Sequence, residues 1–289
     1  RSLCDWSSDV CSSDLGLRIV VDCANGAAST IAGRLFAALG ADAELIACAP
    51  DGANINVDCG STHLESVAAA TVRSGAALGI AFDGDADRVL LVDHTGAHVD
   101  GDQILAILAA DLRSRGALPG DRVVVTSMAN LGAHHALRAI GCTIEVTDVG
   151  DRYVLEAMAD GGFSLGGEQS GHFIFLDHNT TGDGLISALQ MISLMKRTGK
   201  PLSELASAMS AVPQILLNVK VKQKPDLGSV PDIDRAIREC ERRLNGSGRV
   251  VVRYSGTEPL LRIMVEGERD ALIKEVAEDL ARLVRTHLG

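Results

Sequence analysis

Residues 78–88 read LGIAFDGDADR, and they limit the possible folds more than any other stretch. The apolar run 78–82 has the composition of a buried strand. It ends in three aspartates at alternate positions, Asp83, Asp85 and Asp87. If the backbone stays extended there, the two-residue period of a strand sends all three carboxylates the same way. Like charges gathered so closely repel unless a cation sits among them. Hard oxygen donors suit Mg²⁺, which takes few carboxylates and completes its shell with water or phosphate oxygen. Arg88 comes next, and its planar fork suits a phosphate. The stretch reads as a Mg²⁺ site with a phosphate beside it.

Three other readings compete. A solvated acidic loop is the plainest. An EF-hand also begins Asp-x-Asp-x-Asp, but it needs Gly at the sixth position and Glu at the twelfth, where Arg88 and His94 stand. A haloacid-dehalogenase-type phosphatase places Asp-x-Asp after a strand, yet its pattern takes Thr or Val where Asp87 stands.

Around this stretch, apolar runs alternate with segments of helical spacing. Strands are expected at 17–23 and 43–49, and helices at 29–39 and 62–73. The metal-loop strand and a short strand at 89–93 follow. This alternation is an α/β layer unit. A second such unit starts near Val99. Its helix is capped by Asp102, its strands lie at 123–127 and 143–147, and its helices at 131–140 and 151–158. A further helix runs from about 182 to 198, capped by Thr180 or Thr181 and ended by Gly199 and Pro201. A third unit has another rhythm: a strand at 215–221, a linker bearing Lys and Pro, a helix at 233–244, strands at 249–253 and 261–265, and a closing helix at 269–288. The expected architecture is two consecutive α/β/α-layer domains, at 16–97 and 98–212, followed by a smaller α+β domain at 213–289.

The first 15 residues, RSLCDWSSDVCSSDL, hold the only Trp and read as a non-native leader. Beyond them, 46% hydrophobic content supports real cores, while aromatics at 3% leave those cores to Ala, Val, Leu and Ile. The net charge of -11 argues against nonspecific binding to nucleic acid or an anionic membrane. No apolar run approaches the roughly 20 residues of a membrane helix. The seven Cys are scattered. Cys23, Cys48, Cys59 and Cys142 sit in or near apolar stretches, as reduced core thiols of a cytosolic protein do.

Two more loops have chemical composition. In GGEQSGH, residues 166–172, Glu168, Gln169 and Ser170 could hold sugar hydroxyls while the glycines let backbone approach a ligand. A glycine-rich turn with incidental polar residues reads equally well, and His172 alone is more often structural than catalytic. In RYSGTEP, residues 253–259, the side chains Arg253, Ser255 and Thr257, with Arg262 beyond and N–H groups freed by Gly256, make an anion nest. The alternative is a hairpin loop with a Gly turn. Arg152, in GDR at 150–152, either reaches a ligand or is solvated at a first helical turn.

With VDCANGAA at Val21, CGSTH at Cys59, VGDRYV at Val149 and NTTGDG at Asn179 added, the chain resembles the phosphoglucosamine mutases of the α-D-phosphohexomutase superfamily. The motifs run in that family's order and cover nearly everything from Gly16 onward. Gln169 favours the glucosamine branch over phosphomannomutase and phosphoglucomutase relatives.

The resemblance implies roles. Asp83, Asp85 and Asp87 would bind Mg²⁺ with a phosphoserine oxygen, and Arg88 would contact phosphate near the metal. Glu168 and Ser170 would hold sugar hydroxyls, with Arg152 and His172 also on the substrate side. Arg253, Ser255, Gly256, Thr257 and Arg262 would grip the phosphate that is not transferred. The implied reaction interconverts glucosamine 6-phosphate and glucosamine 1-phosphate in the cytoplasm, through a bisphosphate, for amino-sugar and cell-wall precursors. The family's phosphoserine loop, of Ser-His-Asn type, has no match here, since Ser61-Thr62-His63 is followed by Leu64-Glu65. The expectation is a chain equivalent to domains two to four of a four-domain enzyme, binding its hexosamine phosphate but not turning it over. A sugar-phosphate-binding protein without catalysis is the competing class.

Overall fold

The computed structural model describes residues 16–256 and 258–289, so the leader expected at 1–15 and the candidate Thr257 lie outside the described residues. Contacts divide the chain into two compact units. One runs up to Ala129 and over Ala133–Ser210, and the other joins Asn130–Gly132 to Ala211–Gly289.

The first unit holds two sheets. Strands β1 (Arg18–Asp22), β2 (Asp42–Ile46), β3 (Leu78–Phe82), β4 (Val89–Asp93) and β5 (His98–Val99) are ordered β2-β1-β3-β4-β5. The first three are parallel, and β4 and β5 turn antiparallel. Strands β6 (Arg122–Thr126), β7 (Thr143–Thr147), β8 (Leu165–Gly167) and β9 (Phe173–Phe175) are ordered β7-β6-β8-β9, with β9 antiparallel to β8. The second sheet repeats the order and sense of the first four strands of the first. The hairpin β3–β4 therefore has its counterpart in β8–β9.

The helices of this unit are α1 (Ala32–Ala38), α2 (Glu65–Ser74), α3 (Gly101–Ser114), α4 (Leu131–Ala139), α5 (Asp151–Gly161), α6 (Gly184–Thr198) and α7 (Leu202–Ala206). Parallel strands must be covered on both faces, and β3 is buried along its whole length. Val67 and Ala70 of α2 pack with Val20, Ala81 and Val92 on one face. On the other face Ile19, Ile80 and Phe82 join Ile104 and Leu108 of α3, Met191 and Ile192 of α6, and Val123 and Val125 of β6 in one continuous core. The two α/β layers thus share their central helices, which is why they form one compact unit. Val154 and Met158 of α5 close the far face of the second sheet.

Several local expectations need correction. Helix α3 is capped by Asp100, not Asp102: Asp100 accepts from the Gln103 N–H, and the Gln103 side chain answers the Asp100 N–H. That reciprocal box needs Gln three residues after the cap, which Asp102 does not have. Asp183 caps α6 by accepting from the Ile186 N–H, so neither Thr180 nor Thr181 is the cap. The helix expected at 29–39 is split at Ile31 into a 3₁₀ turn, Ala27–Thr30, and α1. The strand expected to reach residue 49 ends at Ile46, because Ala47 adopts φ 45°. Cys48, beyond that turn, is exposed rather than in the core, while Cys23, Cys59 and Cys142 are buried free thiols. Among the described residues no helix is long and apolar enough to cross a membrane.

The second unit is an antiparallel sheet, β10 (Gln214–Lys220), β12 (Leu260–Gly267) and β11 (Gly248–Tyr254) in that order, with α8 (Pro231–Leu244) and α9 (Asp270–Leu288) on its apolar face. Strict alternation sends Leu261, Ile263 and Val265 of β12 into that core and Arg262, Met264 and Glu266 to the opposite face. Glu266 is wholly buried. Its carboxylate accepts from Asn130 Nδ2 at 2.9 Å and Arg249 Nε at 2.6 Å. Burial pushes the Glu266 carboxyl above its ordinary value of 4.5, against the pull of Arg249. A raised folded-state value means that the native state holds this proton more tightly than the unfolded chain. Its effect on stability is therefore most favourable below the ordinary value and declines as pH rises from 4.5 through the raised value. The difference in urea-unfolding free energy between the wild type and Glu266→Gln is expected to move against the wild type across that window and to level off above it. A difference independent of pH would contradict the assignment.

Candidate active site

Both chemical loops of the first unit leave the carboxyl ends of parallel strands, where open α/β sheets bind ligands. Residues 83–88 join β3 to β4, and residues 168–172 join β8 to β9. The two loops touch. Arg88 and His172 form an antiparallel bridge, and the Val89 N–H donates to the Gly171 carbonyl at 3.0 Å. The repeat of strand order thus lays two equivalent hairpin loops edge to edge.

The 83–88 loop is not extended. The Ala86 N–H turns back to the Asp83 carbonyl at 3.1 Å, and Ala86 has φ 60°. A strand's period of two therefore does not orient the aspartates, and each has its own surroundings. Asp83 is 3% exposed and Asp85 is exposed. Asp83 Oδ2 accepts from Arg88 Nε at 2.9 Å and lies 2.8 Å from an Arg88 terminal nitrogen, while Oδ1 accepts from the Arg88 N–H at 3.2 Å. Arg88 is thus committed to Asp83. Asp87 Oδ2 lies 3.1 Å from His172 Nδ1. Asp87 Oδ1 is buried with no hydrogen-bond partner, 3.7 Å from Arg88 Nε. Among the described residues no group of three His, Cys, Asp or Glu side chains is gathered as a metal cage.

The residues nonetheless fit a hard divalent cation. Burial pushes the Asp83 carboxyl above the usual carboxylate range; Arg88 opposes this, and Asp87 adds to it. A cation would relieve that excess of negative charge and would complete the buried Oδ1 of Asp87.

The acidic loop rests on three of the other motifs. The Ala27 N–H donates to the Gly84 carbonyl at 2.8 Å. The wholly buried Asp22 carboxylate accepts from the N–H groups of Ala24 at 2.9 Å and Gly60 at 3.0 Å, and burial raises its pKa against those two bonds. Asp22 thereby joins VDCANGAA to CGSTH beneath the acidic loop. The Gly184 N–H donates to the Ala86 carbonyl at 2.9 Å, so NTTGDG holds the same loop from α6. Asn179, Thr181 and Asp183 line a cavity of about 220 Å³ together with Asp85 and Asp87.

In the second loop, Glu168 Oε1 accepts from the Gly150 N–H at 3.1 Å and Oε2 from Ser170 Oγ at 3.4 Å. Gly150, rather than Arg152, is what brings VGDRYV to this loop. Arg152 is exposed at the first turn of α5, with Nε donating to Glu156 at 2.7 Å. His172 is 6% exposed, and its Nε2 has no hydrogen-bond partner.

The third loop belongs to the second unit. Arg253 of β11 and Arg262 of β12 are directly opposite in register. Arg262 reaches Glu258 Oε2 at 3.3 Å, while its Nε is buried without a partner. Ser255 is 3% exposed, its Oγ accepting from the Glu258 N–H at 3.2 Å, and Gly256 is exposed. Sequence reasoning passed over Lys224 as part of a linker; its Nζ donates to the Ser255 carbonyl at 2.6 Å. Its place is set by a long-range contact, which no local pattern signals.

Two mutually equivalent α/β layers with an acidic loop docked on a glycine-rich loop, and a small α+β unit with an arginine-bearing hairpin, describe a phosphohexomutase arrangement. The chain belongs to the phosphoglucomutase/phosphomannomutase family: it matches the family's alpha/beta/alpha domain II over residues 5–96, alpha/beta/alpha domain III over residues 100–212 and C-terminal domain over residues 216–283. It is 53% identical over 274 residues to a phosphoglucosamine mutase of Syntrophotalea carbinolica, a match covering 95% of this chain and 60% of that protein. It is 54% identical over 273 residues to a phosphoglucosamine mutase of Frankia casuarinae, with 94% and 60% covered. The chain therefore spans about 60% of the length of these relatives. Its fold is similar to that of N-acetylphosphoglucosamine mutase from Aspergillus fumigatus, solved with GlcNAc-6P and magnesium: the TM-score is 0.78 at 20% identity, over 96% of this chain and 63% of that one.

Proposed function

We propose that this chain is the metal-, sugar- and phosphate-binding part of a cytoplasmic phosphoglucosamine mutase, acting on glucosamine 6-phosphate and glucosamine 1-phosphate. The docking of the 83–88 loop on the 168–172 loop carries this reading, because it joins Asp87 to His172 and so lays the aspartate-bearing loop against the glycine-rich loop that bears Glu168. The names of the relatives at 53% and 54% identity support the amino sugar.

Asp83, Asp85 and Asp87 are the residues that would hold Mg²⁺. When bound, Mg²⁺ supplies positive charge against phosphoryl oxygens. His172 orients Asp87, and Arg88 fixes Asp83 while its bound position leaves the guanidinium beside the acidic loop. Glu168, held by Gly150 and Ser170, presents a fixed carboxylate to a sugar hydroxyl or amine. Arg253 and Arg262, with Ser255, Gly256 and Thr257, grip the phosphate that stays on the sugar. Such a remote grip orients the reacting end. The phosphoryl donor, in this proposal, is a phosphoserine outside these 289 residues.

Two measurements test the proposal. The isolated chain is expected to show no interconversion of glucosamine phosphates, so robust turnover would overturn the assignment of the donor. Mg²⁺ titrated into the chain and followed by amide NMR shifts is expected to perturb residues 83–88, and Asp87→Asn is expected to weaken that binding by about tenfold or more, the scale of one lost charged oxygen donor. A wild-type chain indifferent to Mg²⁺ would refute the metal site. The same titration with mannose and glucose phosphates sets the amino-sugar preference against the other branches.

A further inference from the structure

We propose that Gly182 is a positioning residue of the metal site: its lack of a side chain leaves the slot that holds the His172 ring against Asp87. This rests on the reading of Asp83, Asp85 and Asp87 as Mg²⁺ ligands.

The buried His172 ring has Nδ1 at 3.1 Å from Asp87 Oδ2. Its other nitrogen, Nε2, has no hydrogen-bond partner. An imidazole can be fixed through both nitrogens, and one fixed through a single nitrogen is free to pivot about that contact. Packing blocks the pivot here. A Cβ on Gly182 would stand 2.3 Å from His172 Cε1, 2.4 Å from Nε2 and 2.6 Å from Nδ1. The ring edge that carries both nitrogens therefore occupies the space where any other residue has its first side-chain carbon.

Backbone geometry does not call for glycine at this position. Gly182 does not take a positive φ, so an L residue would fit its backbone. Nor can the loop back away from the ring. Asp183 caps α6 by accepting from the Ile186 N–H, and the Gly184 N–H donates to the Ala86 carbonyl at 2.9 Å. A Cβ on Gly184 would stand 2.8 Å from the Arg88 carbonyl oxygen and 3.0 Å from that of Ala86, so this backbone is already seated on the acidic loop. A methyl group at Gly182 is then relieved by the ring, which has to leave Asp87. The carboxylate loses the group that orients it, and such a partner of a metal ligand is worth about tenfold to a hundredfold in metal affinity.

The test is a double-mutant cycle on the full chain, with Mg²⁺ alone as the probe, followed by NMR and urea unfolding. Gly182→Ala is expected to move the His172 Cε1–H signal, assigned by its loss in His172→Ala, and to weaken Mg²⁺ binding by about tenfold to a hundredfold. His172→Ala is expected to weaken it about as much. With the ring gone there is room for the methyl group, so the double variant is expected to match His172→Ala within about twofold in Mg²⁺ affinity and to unfold at no lower urea concentration. Should Gly182→Ala fail to fold alone, that last comparison decides. If Gly182→Ala or His172→Ala leaves Mg²⁺ affinity unchanged, or the double variant binds tenfold more weakly than His172→Ala, Gly182 does not act through the ring and this proposal fails while the metal site stands. If the wild type is indifferent to Mg²⁺, the metal site itself is wrong and the proposal falls with it.

Discussion

Replacing Gly60 by alanine is expected to destabilise the first unit by roughly 3 kcal/mol, the sum of a left-handed backbone at about 1–2 kcal/mol and overpacking at about 1–3 kcal/mol. Gly60 has φ 72°, and a Cβ there would stand 2.5 Å from the Phe82 carbonyl oxygen and 2.6 Å from Ala24 Cβ. Neither neighbour can swing away, since Phe82 is wholly buried in the core and Ala24 follows Asp22 in the turn after β1. The same shift loosens the Gly60 N–H from Asp22. Because Phe82 immediately precedes Asp83, Mg²⁺ binding is expected to weaken together with stability. Gly75 provides the control: it has φ 65° but open space around its Cβ position, so Gly75→Ala should cost only about 1–2 kcal/mol and leave Mg²⁺ binding intact. Urea unfolding of the two variants checks the comparison, and equal losses would mean that the contact with Phe82 is unimportant.

The second large effect lies in the other unit and separates binding from stability. Arg262→Gln is expected to weaken phosphomonoester binding by tenfold to a hundredfold, the range for a charge-assisted or bidentate contact, without lowering the unfolding free energy. Arg262 stands directly across from Arg253, and like charges placed directly opposite repel. Its bridge to Glu258 is half exposed on the acid side and, as a surface pair, is worth little. Neutral Gln relieves the repulsion and keeps most of the hydrogen-bonding stem. Calorimetric titration and urea unfolding of one preparation provide both readouts. A substantial loss of stability with unchanged affinity would recast Arg262 as a structural residue.

Most of the secondary structure was legible because burial imposes periodicity. The fully apolar run 78–82 had to be a covered strand, and it is β3. The run 261–265 was expected as a strand, and β12 covers it, with Met264 and Glu266 buried on the face opposite the core as well. Gly75 and Gly199 ended their helices as left-handed C-caps. Caps were less legible, since several polar residues cluster before each helix and geometry chooses one: Asp100 over Asp102, Asp183 over Thr180 and Thr181. The acidic loop turns at Ala86 where an extended backbone was the expectation, because that turn answers to packing from α6 and the second hairpin rather than to any local signal.

The order of apolar and polar residues alone determined that this chain forms two α/β layers and a small α+β unit, because strand and helix periods are local properties. Tertiary structure decided which groups meet: Asp83 with Arg88, Asp87 with His172, Glu168 with Gly150, and Lys224 with Ser255. Those pairings depend on how two sheets of equal strand order stack about shared helices and how the linker after β10 crosses a hairpin, and contacts between residues distant in sequence leave no period in it.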